Sequence, residues 1–439
     1  METEKTNQYA YTESDIVPAK ERPDYAHLAA QKEKPLRVLS LFSGCGGMDL
    51  GTEGGFIAHR RSLEGSPGAV WQELNEDWVV TRPTRFETIF ANDILPEAAT
   101  AWKAYMTRFG RSGAKYVSES VVNLVKRHIA GEKIFPGDVD VVTGGFPCQD
   151  FSVAGKRMGF DSGKGHDGKK RADDTPSEET RGKLYFWMKQ VIDITRPKVF
   201  VAENVKGLTN LGDVKDVIRR DFASADGNGY VVLDPKVLHA GDYGVPESRE
   251  RVIFIGLRRD ALRPEALESL ESDEPAREFD PYPAPTHHCT ERGAGGAPIV
   301  TTAEVLAGLK EPELSADPAQ RVFSKAKYMP KGQGQTEIHT DGLGPTIRSE
   351  HHGNIEFRRL SAEHGGTHAE ELAAGLAERR LTPRECALIQ TFPPDYPFVF
   401  NGLSVSGAYK VIGNAVPPVL AYKIARRIEE VWPIIFKEQ

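Results

Sequence analysis

The fold is decided by one stretch of the sequence, LRVLSLFSGCGGMDLGTEGGF at residues 36–56. It begins with a short apolar run at 36–42, continues through the glycine-rich turn SGCGG and ends in a helix-like segment. This order opens a nucleotide-binding α/β unit, because glycines let the backbone approach a ligand and a helix N-terminus favours negative charge. A glycine turn alone is a weak signal, and the interpretation therefore depends on the elements that follow.

Apolar runs alternate with helical segments as far as residue 258. Strands and helices in alternation predict an α/β fold with a doubly wound, mostly parallel sheet and helices on both faces. Besides the strand at 36–42, we predict strands at 87–93, 138–145, 198–204, 229–238 and 251–258.

Several segments depart from this alternation. A long polar insert at 57–86 separates the first two units, and a capped helix is predicted to begin at Thr382, with Pro383 at its first position. The part before this helix is rich in glycine, proline and histidine and predicts a smaller, loop-rich domain. We therefore divide the chain into a flexible tail or short docking segment at 1–34, a main domain at 35–258, the loop-rich domain at 259–378 and a returning segment at 379–439.

Composition excludes several classes of protein. The chain is 39% apolar and 27% charged, a globular balance, and it has no run of 18 apolar residues, so no membrane partner is expected. Its N-terminus lacks the apolar stretch of a secretory signal. The four cysteines, at 45, 148, 289 and 386, form no CxxC pair, which argues against a disulfide framework and for a reducing cytoplasm.

Charge and histidine content add two weaker expectations. The net charge of −7 argues against a nucleic-acid binder, but lysines and arginines cluster at 156–171 and 249–259, which permits a basic cleft on an acidic body. The HHC sequence at 287–289 lacks further ligands at zinc spacing, so no metal site is expected.

The sharpest motif is GGFPCQDFSVAG at 144–155. Cys148 follows the end of a buried strand, where Pro147 stiffens the turn. A lone cysteine there is usually a small buried apolar residue. Few structural reasons require Phe-Pro-Cys-Gln at a strand end, however, and the long basic loop that follows is typical of a segment that closes over a ligand. We therefore predict that Cys148 is a nucleophile, which has to react as a thiolate.

Charged residues stand at the ends of other strands. Asp93 is placed to accept ribose hydroxyls or to cap a helix, and these roles are compatible. Glu203 would face the same crevice as Cys148 and hydrogen-bond a heterocycle, or it would cap a helix. Arg249 and Arg251 share one strand face and would hold substrate oxygens or a phosphate, or form a solvated stripe.

Seven motifs occur in one order: LFSGCGG, AND, GFPCQDFS, ENV, ESRER, LTPRECALIQTFP and GNAVPP. In this order they resemble the bacterial-type cytosine-5 DNA methyltransferase family, over most of 36–258 and 379–425. The resemblance implies a class I methyltransferase, Rossmann-like fold and makes 259–378 the target recognition domain. It also implies methyl transfer from S-adenosylmethionine to carbon 5 of a flipped-out cytosine within a specific short sequence of double-stranded DNA.

The resemblance assigns roles to matching residues. Cys148 would attack carbon 6 of the cytosine, Glu203 would contact ring nitrogen 3 and the amine, and Arg251, supported by Arg249, would contact the carbonyl oxygen. The expected substrate contacts are Pro147, Gln149 and Ser152. Arg348, in the polar stretch at 345–358, would read base edges or phosphates, or would only shape its domain. The expected cofactor contacts are Phe42 and Ile94 on the adenine, Gly44 and Gly46 at the methionine end, Asp93 on the ribose, and Leu184 and Asn414 closing the pocket.

Three positions depart from the family pattern. Ser40 stands where many relatives have Asp, and Glu247 stands where Gln is common. The acidic contact expected after the second unit falls on Glu119 or Ser120, and the sequence does not choose between them.

Other functions fit part of the pattern. An RNA cytosine methyltransferase would share the core, a silent DNA-binding regulator would have lost Cys148 or Glu203, and an unrelated thiol enzyme would need a histidine that the strand-end motifs lack. As partners we expect double-stranded DNA and, for a restriction-modification methylase, a restriction endonuclease that shares the site. A solitary methylase is the alternative. We expect a monomer in the bacterial cytoplasm, associated with the nucleoid.

Overall fold

The computed structural model of the chain describes residues 14–30, 32, 34–107, 114–147, 183–210, 213–288, 296–324, 338–349, 357–358 and 379–437. Its strands are β1 Leu36–Leu41, β2 Ile57–His59, β3 Val70–Glu73, β4 Trp78–Thr81, β5 Phe86–Asn92, β6 Lys115–Val117, β7 Val141–Gly145, β8 Val199–Val205, β9 Tyr230–Val232, β10 Lys236–His239, β11 Glu250–Arg258, β12 His287–His288, β13 Ala297–Pro298, β14 Phe357–Arg358 and β15 Arg379–Arg380.

The helices alternate with these strands through the first half of the chain. They are α1 Tyr25–Ala30, α2 Gly47–Glu53, α3 Pro96–Met106, α4 Val121–Ile129, α5 Leu184–Thr195, α6 Val214–Ala223, α7 Ala225–Asn228, α8 Pro264–Leu270, α9 Thr302–Leu306, α10 Pro383–Ile389, α11 Val405–Asn414 and α12 Pro418–Ile435.

The central sheet has eight strands in the order β10-β11-β8-β7-β1-β5-β6, with β9 also paired to β11. The pairs from β8 to β6 are parallel, whereas β11 runs antiparallel to β8, β9 and β10. The predicted mostly parallel sheet is therefore confirmed. The single strand predicted at 229–238 is wrong, because two strands form there on either side of Pro235, which has no N–H to donate to a neighbouring strand.

Side chains of β1 enter two apolar clusters on opposite faces of the sheet. Val38 packs in the cluster that includes α2, α3 and α12, whereas Leu39 and Leu41 pack in the cluster that includes α4, α5 and α6. Helices on both faces leave the sheet accessible mainly at its strand ends. In open α/β sheets, ligands bind at the carboxyl ends of the strands.

The C-terminal helix α12 lies directly against α2, the helix that follows the glycine turn. A Cβ atom on Gly51 would lie 2.3 Å from the carbonyl oxygen of Pro418, so only glycine permits this approach. Helix α10 begins as predicted, with Pro383 at its first position and a capping box between Thr382 and Glu385. The segment at 379–437 is thereby fixed beside the first strand-turn-helix unit.

The insert at 57–86 is more ordered than a polar linker. It forms a three-stranded antiparallel sheet in the order β2-β4-β3, and all four residues of β4 are buried. The sequence pattern misses this sheet because its strands are only three or four residues long.

Residues 14–30, which belong to the segment at 1–34 predicted as a flexible tail or a short docking segment, pack against this insert sheet. Val17 packs with Ile57, and Tyr25 is buried beside Val80. The Tyr25 hydroxyl donates to Asp395 Oδ2 at 2.6 Å, a carboxylate that also accepts from Tyr105. The rest of the predicted tail, at 1–13, 31 and 33, lies outside the described residues.

Among the helices that the structure describes, none is long and apolar enough to cross a membrane.

A lysine on α12 is buried against the insert. The Lys423 side chain is 5% exposed, and its amine donates to Ser66 Oγ. Among the described residues no carboxylate lies within ion-pair distance of this amine. Burial lowers the pKa of Lys423 to about 7, because the charged form loses its hydration.

We expect Lys423→Met to stabilise the protein at neutral pH. The unfolded lysine binds its proton up to pH ~10.5, whereas the folded lysine loses it near pH 7, so the charge opposes folding at and below pH 7. Each pKa unit corresponds to ~1.4 kcal/mol, and we expect the methionine to raise the free energy of unfolding by at least ~2 kcal/mol at pH 7 and by less at pH 9.5.

The measurement is urea unfolding at both pH values. Arg426→Met is the control, because Arg426 lies on the same helix and is paired with Glu429 near solvent. A destabilisation by Lys423→Met that is the same at both pH values would contradict the assignment of a buried charge.

Candidate active site

The carboxyl ends of β1, β5, β7 and β8 lie side by side and bring the predicted site residues together. Gly145 at the end of β7 is in register with Glu203 on β8. A Cβ atom on Gly145 would lie 2.8 Å from Glu203 Oε2, so the carboxyl occupies the space above this glycine. The GG sequence before Phe146 therefore makes room for the acid of the neighbouring strand.

Glu203 pairs with Arg251 across β8 and β11. Arg251 Nε lies 2.7 Å from Glu203 Oε1, and both side chains are 11% exposed. Burial raises the pKa of Glu203, while the positive charges of Arg251 and Arg249 oppose this rise. The raised pKa favours the protonated carboxyl relative to an exposed glutamate, which is the direction in which enzymes tune a general acid.

Asn204 fixes the turn that leads to the predicted nucleophile. Its Nδ2 donates to the carbonyl of Phe146 at 3.0 Å, and its Oδ1 accepts from the N–H of Val205. Pro147 follows directly and is half-buried. Cys148 itself, together with Gln149 and Ser152, lies outside the described residues.

The glycine turn contacts the end of β5 through Asp93. Asp93 Oδ2 accepts from the N–H of Gly44 at 3.0 Å, and its Oδ1 accepts from the N–H of Leu95 at the start of α3. Burial raises the pKa of Asp93. The carboxylate therefore holds the turn and the helix start together at the position predicted to contact the ribose.

The two predicted cofactor glycines face different surroundings. A Cβ atom on Gly44 would meet no atom within 4 Å, whereas one on Gly46 would lie 2.7 Å from the indole of Trp102. Gly46 also has φ 84°, a left-handed conformation that favours glycine. Gly44 thus borders open space, while Gly46 is required for packing on α3.

A buried carboxylate that the sequence interpretation did not single out lies behind this turn. Asp49 is fully buried, and it accepts from Ser40 Oγ at 2.5 Å and from Trp102 Nε1 at 2.6 Å. Burial raises its pKa to about 7. Ser40 thus hydrogen-bonds a carboxylate supplied by α2; the sequence signal was the acidic residue in GMDLG, two positions after Gly47.

Arg249 joins three parts of the chain. Its guanidinium donates to the carbonyls of Ile347, Gly413 and Ala415 at 2.9, 3.1 and 2.8 Å. Glu247 Oε1 lies 3.4 Å from Arg249 Nη1 and accepts from the N–H of Ile347 at 2.7 Å. The Arg249 guanidinium is thus held in the protein interior by these carbonyls, and we propose a positioning role for it.

The remaining predicted cofactor residues border the same strand ends. Phe42 is half-buried at the end of β1, Ile94 is 41% exposed after β5, and Leu184 is buried at the start of α5. Asn414 is exposed at the end of α11, next to the Arg249 contacts.

Three further predictions concern neighbouring polar residues. Arg348 lies next to Ile347, and its Nη1 is buried without a hydrogen-bond partner among the described residues. Glu119 pairs with Arg127 at 2.6 Å, while Ser120 precedes α4 without a side-chain cap bond. His287 hydrogen-bonds the carbonyl of Arg61, and within the described ranges no group of residues has the composition of a metal site.

Comparison with known proteins agrees with this geometry. The profile of a family described as C-5 cytosine-specific DNA methylase matches residues 36–430. The chain belongs to this family. Its activity is therefore that of a DNA (cytosine-5)-methyltransferase, which confirms the family and the reaction class predicted from the seven motifs.

Curated relatives match along nearly the whole chain. The Type II methyltransferase M.BspRI of Lysinibacillus sphaericus is 31% identical, covering 91% of this chain and 82% of that protein. The Type II methyltransferase M.BsuRI of Bacillus subtilis is 30% identical, covering 92% and 81%.

Solved structures support the fold class. S. pombe Dnmt2 methyltransferase has a TM-score of 0.51 at 15% identity, covering 90% of this chain and 99% of that one. Entamoeba histolytica methyltransferase EhMeth has the same TM-score at 16% identity, covering 92% and 99%. The predicted class I, Rossmann-like methyltransferase fold is thereby confirmed.

Substitution of the two arginines of the ESRER motif should have different effects on stability and on the rate of methyl transfer. Arg249→Met removes the donor of three buried carbonyls and leaves Glu247 buried without its cation, so we expect a loss of ~3 kcal/mol or more in the free energy of unfolding. Arg251→Met should cost less stability, because Glu203 can take up a proton, and should lower the rate of methyl transfer at least ~100-fold.

The measurements are urea unfolding and single-turnover methyl transfer for both variants. Arg60→Met is the control, because Arg60 is a partly exposed arginine paired with the exposed Glu73, and it should change stability by less than ~1 kcal/mol. Equal stability of the Arg249→Met and wild-type proteins would rule out the positioning role.

Proposed function

We propose that the protein methylates carbon 5 of a flipped-out cytosine within a specific short DNA sequence, through a covalent bond between Cys148 and carbon 6. The observation that carries the proposal is the Glu203 carboxyl. It is buried, paired with Arg251 at 2.7 Å and placed above Gly145, three residues before Cys148. Family membership supplies the reaction class, and this acid supplies the group that the chemistry needs beside the nucleophile.

The strand-end surroundings fit S-adenosylmethionine as the methyl donor. Open space borders Gly44, an apolar side chain, Ile94, is partly exposed beside it, and the carboxylates of Asp93 and Asp49 favour a cationic ligand. Asp93 would hold the ribose, Phe42 and Ile94 the adenine, and Gly44 the methionine end. When bound, S-adenosylmethionine supplies an electrophilic methyl group on a sulfonium.

The residues of the chain would make carbon 5 reactive. Attack of the Cys148 thiolate would form a sulfur–carbon 6 bond while Glu203 gives its proton to ring nitrogen 3, and Glu203 would take this proton back when the ring is restored. Arg251 orients Glu203 and would donate to the cytosine carbonyl oxygen. After methylation, loss of the carbon 5 proton returns the bonding pair to the ring and expels Cys148 as a thiolate.

Base access and specificity would come from the other parts of the chain. A stacked cytosine is out of reach of a buried acid, so the base has to leave the helix at a cost of a few kcal/mol. The loop at 151–183 would close on the DNA, and the domain at 259–378 would read the sequence, with Arg348 among its contacts. The relatives named Type II methyltransferases support a restriction-modification role, with an endonuclease that shares the site.

The decisive experiment is methyl transfer from labelled S-adenosylmethionine to mixed genomic DNA, followed by bisulfite sequencing. One short motif that acquires 5-methylcytosine supports the proposal and gives the target sequence. Labelling of tRNA in place of DNA would contradict the DNA target while leaving the chemistry intact. An unlabelled product from folded, cofactor-binding protein would favour a silent DNA-binding regulator.

Cys148→Ala should abolish methyl transfer, by at least ~10,000-fold, because no other group can form the bond to carbon 6. Duplex DNA with 5-fluorocytosine at the target should trap wild-type protein as a covalent complex. Fluorine replaces the carbon 5 proton and cannot be removed in its place, so the bond between Cys148 and carbon 6 is not released. The measurement is a denaturing gel of the labelled complex. Cys289→Ser is the matched control and should trap normally; trapping by Cys148→Ala would refute the assignment.

The affinity for S-adenosylmethionine should rise as the pH increases from 6 to 8. Asp49, whose pKa is raised to about 7, becomes an anion in this range and attracts the cationic donor. Asp49→Asn should bind ~10-fold more weakly at pH 8 and lose most of the pH dependence. Calorimetric titration at both pH values measures this, with the exposed Asp138→Asn as control; an unchanged pH slope in Asp49→Asn would contradict the role.

A further inference from the structure

A second groove lies at the opposite end of the sheet from the candidate active site. It has a volume of about 490 Å³ and is lined by residues before β1, before β5 and on the insert sheet, including Lys34, Trp71, Arg82 and Arg85. Lys34 and Arg85 precede the amino ends of β1 and β5. Since β1 has six residues, the groove is roughly 20 Å from the glycine turn.

The groove is lined by cations without acidic partners. Among the described residues, no carboxylate lies within 4 Å of the side-chain nitrogens of Lys34, Arg82 or Arg85. Exposed arginines elsewhere are mostly paired, as Arg60 is with Glu73 at 2.8 Å. The three free cations therefore create a local positive field on a chain whose net charge is −7.

One lysine of the groove is already engaged. Lys32 donates to the carbonyl of Glu53 at 3.3 Å and lies 3.8 Å from the carboxylate of the same residue, with its side chain 6% exposed. It therefore closes the floor of the groove, and the available cations are Lys34, Arg82 and Arg85.

An aromatic ring stands beside these cations. Trp71 lies on β3, an edge strand of the insert sheet, and is 40% exposed, which leaves apolar surface in water. The guanidinium carbon of Arg82 lies 5.0 Å from the centre of the indole, and Arg82 Nε donates to the carbonyl of Gly68 at 2.7 Å. The arginine thus covers one face of the ring and is itself held in place, so the ring is pre-oriented.

We propose that this groove binds a nucleoside phosphate unit, with the phosphate held by Lys34, Arg82 and Arg85 and the base stacked on Trp71. Cations that track phosphates beside an aromatic platform are the means by which proteins bind single-stranded nucleic acid without reading its sequence. The same chemistry suits a free nucleotide or one unit of a single strand. The site is distinct from the methyl-transfer site and does not depend on its chemistry.

The test uses the full-length protein saturated with S-adenosylhomocysteine, so that adenine compounds do not enter the cofactor site. The probes are a fluorescein-labelled oligo-dT of twelve nucleotides, measured by anisotropy, and ATP as a competitor. Trp71→Ala should weaken oligo-dT binding at least ~10-fold, and Trp71→Phe, which keeps a stacking ring, should stay within ~3-fold of wild type.

Salt dependence gives a second, independent readout. Arg82→Gln with Arg85→Gln should reduce the slope of log affinity against log salt by ~0.7 for each lost phosphate contact. Arg60→Gln on the same insert is the matched control and should leave the slope unchanged. Methyl transfer by all these variants should equal that of wild type, which separates this proposal from the proposed function.

The outcomes are distinct. Competition by ATP identifies a free nucleotide as sufficient, and binding of oligo-dT without competition identifies a strand; either result with the Trp71→Ala loss supports the site. Absence of binding by the wild-type protein, or equal binding by Trp71→Ala, Arg82→Gln with Arg85→Gln and wild type, would overturn it.

Discussion

The guanidinium of Arg249 lies in the interior and donates to the carbonyls of Ile347, Gly413 and Ala415, which are 98, 164 and 166 residues further along the chain. A buried cation is costly unless it is hydrogen-bonded and paired, and here three carbonyls and Glu247 lie against the two Nη atoms of Arg249. Arg249 directly precedes β11, the strand that carries Arg251. The position of the candidate acid is therefore coupled to the correct arrangement of three distant segments.

Three carboxyl groups at the carboxyl ends of the strands or next to them are buried. Glu203, Asp93 and Asp49 all have raised pKa values because each is removed from water, yet each is held by different donors. Glu203 faces an arginine, Asp93 accepts backbone N–H groups, and Asp49 accepts from a serine and an indole. One edge thus carries three buried carboxyl groups in three different hydrogen-bonding environments, which are set by their donors rather than by the residue type.

Sequence patterns predicted the elements that carry strong periodicity or cap signals. The strands at 36–42 and 87–93 and the helix that begins at Pro383 form within a residue of their expected places. The insert sheet was missed because its strands are short, and residues 14–30 because their partners are distant in sequence. At the site, motif order identified Glu203, but the role of Asp49 depends on a contact with Trp102 that only the folded chain creates.

The hydrogen bonds of Tyr25 and Tyr105 to Asp395 constrain when this part of the protein can fold during its synthesis on the ribosome. Tyr25 and Tyr105 converge on a carboxylate that follows Tyr25 by 370 residues, so their hydroxyls have no such acceptor until the ribosome has made nearly the whole chain. At ~5–20 residues per second, this delay lasts on the order of 20–70 s. Nascent chains in that interval also lack Gly413 and Ala415, so the buried Arg249 gains two of its three carbonyl acceptors only after the chain through Ala415 has been made.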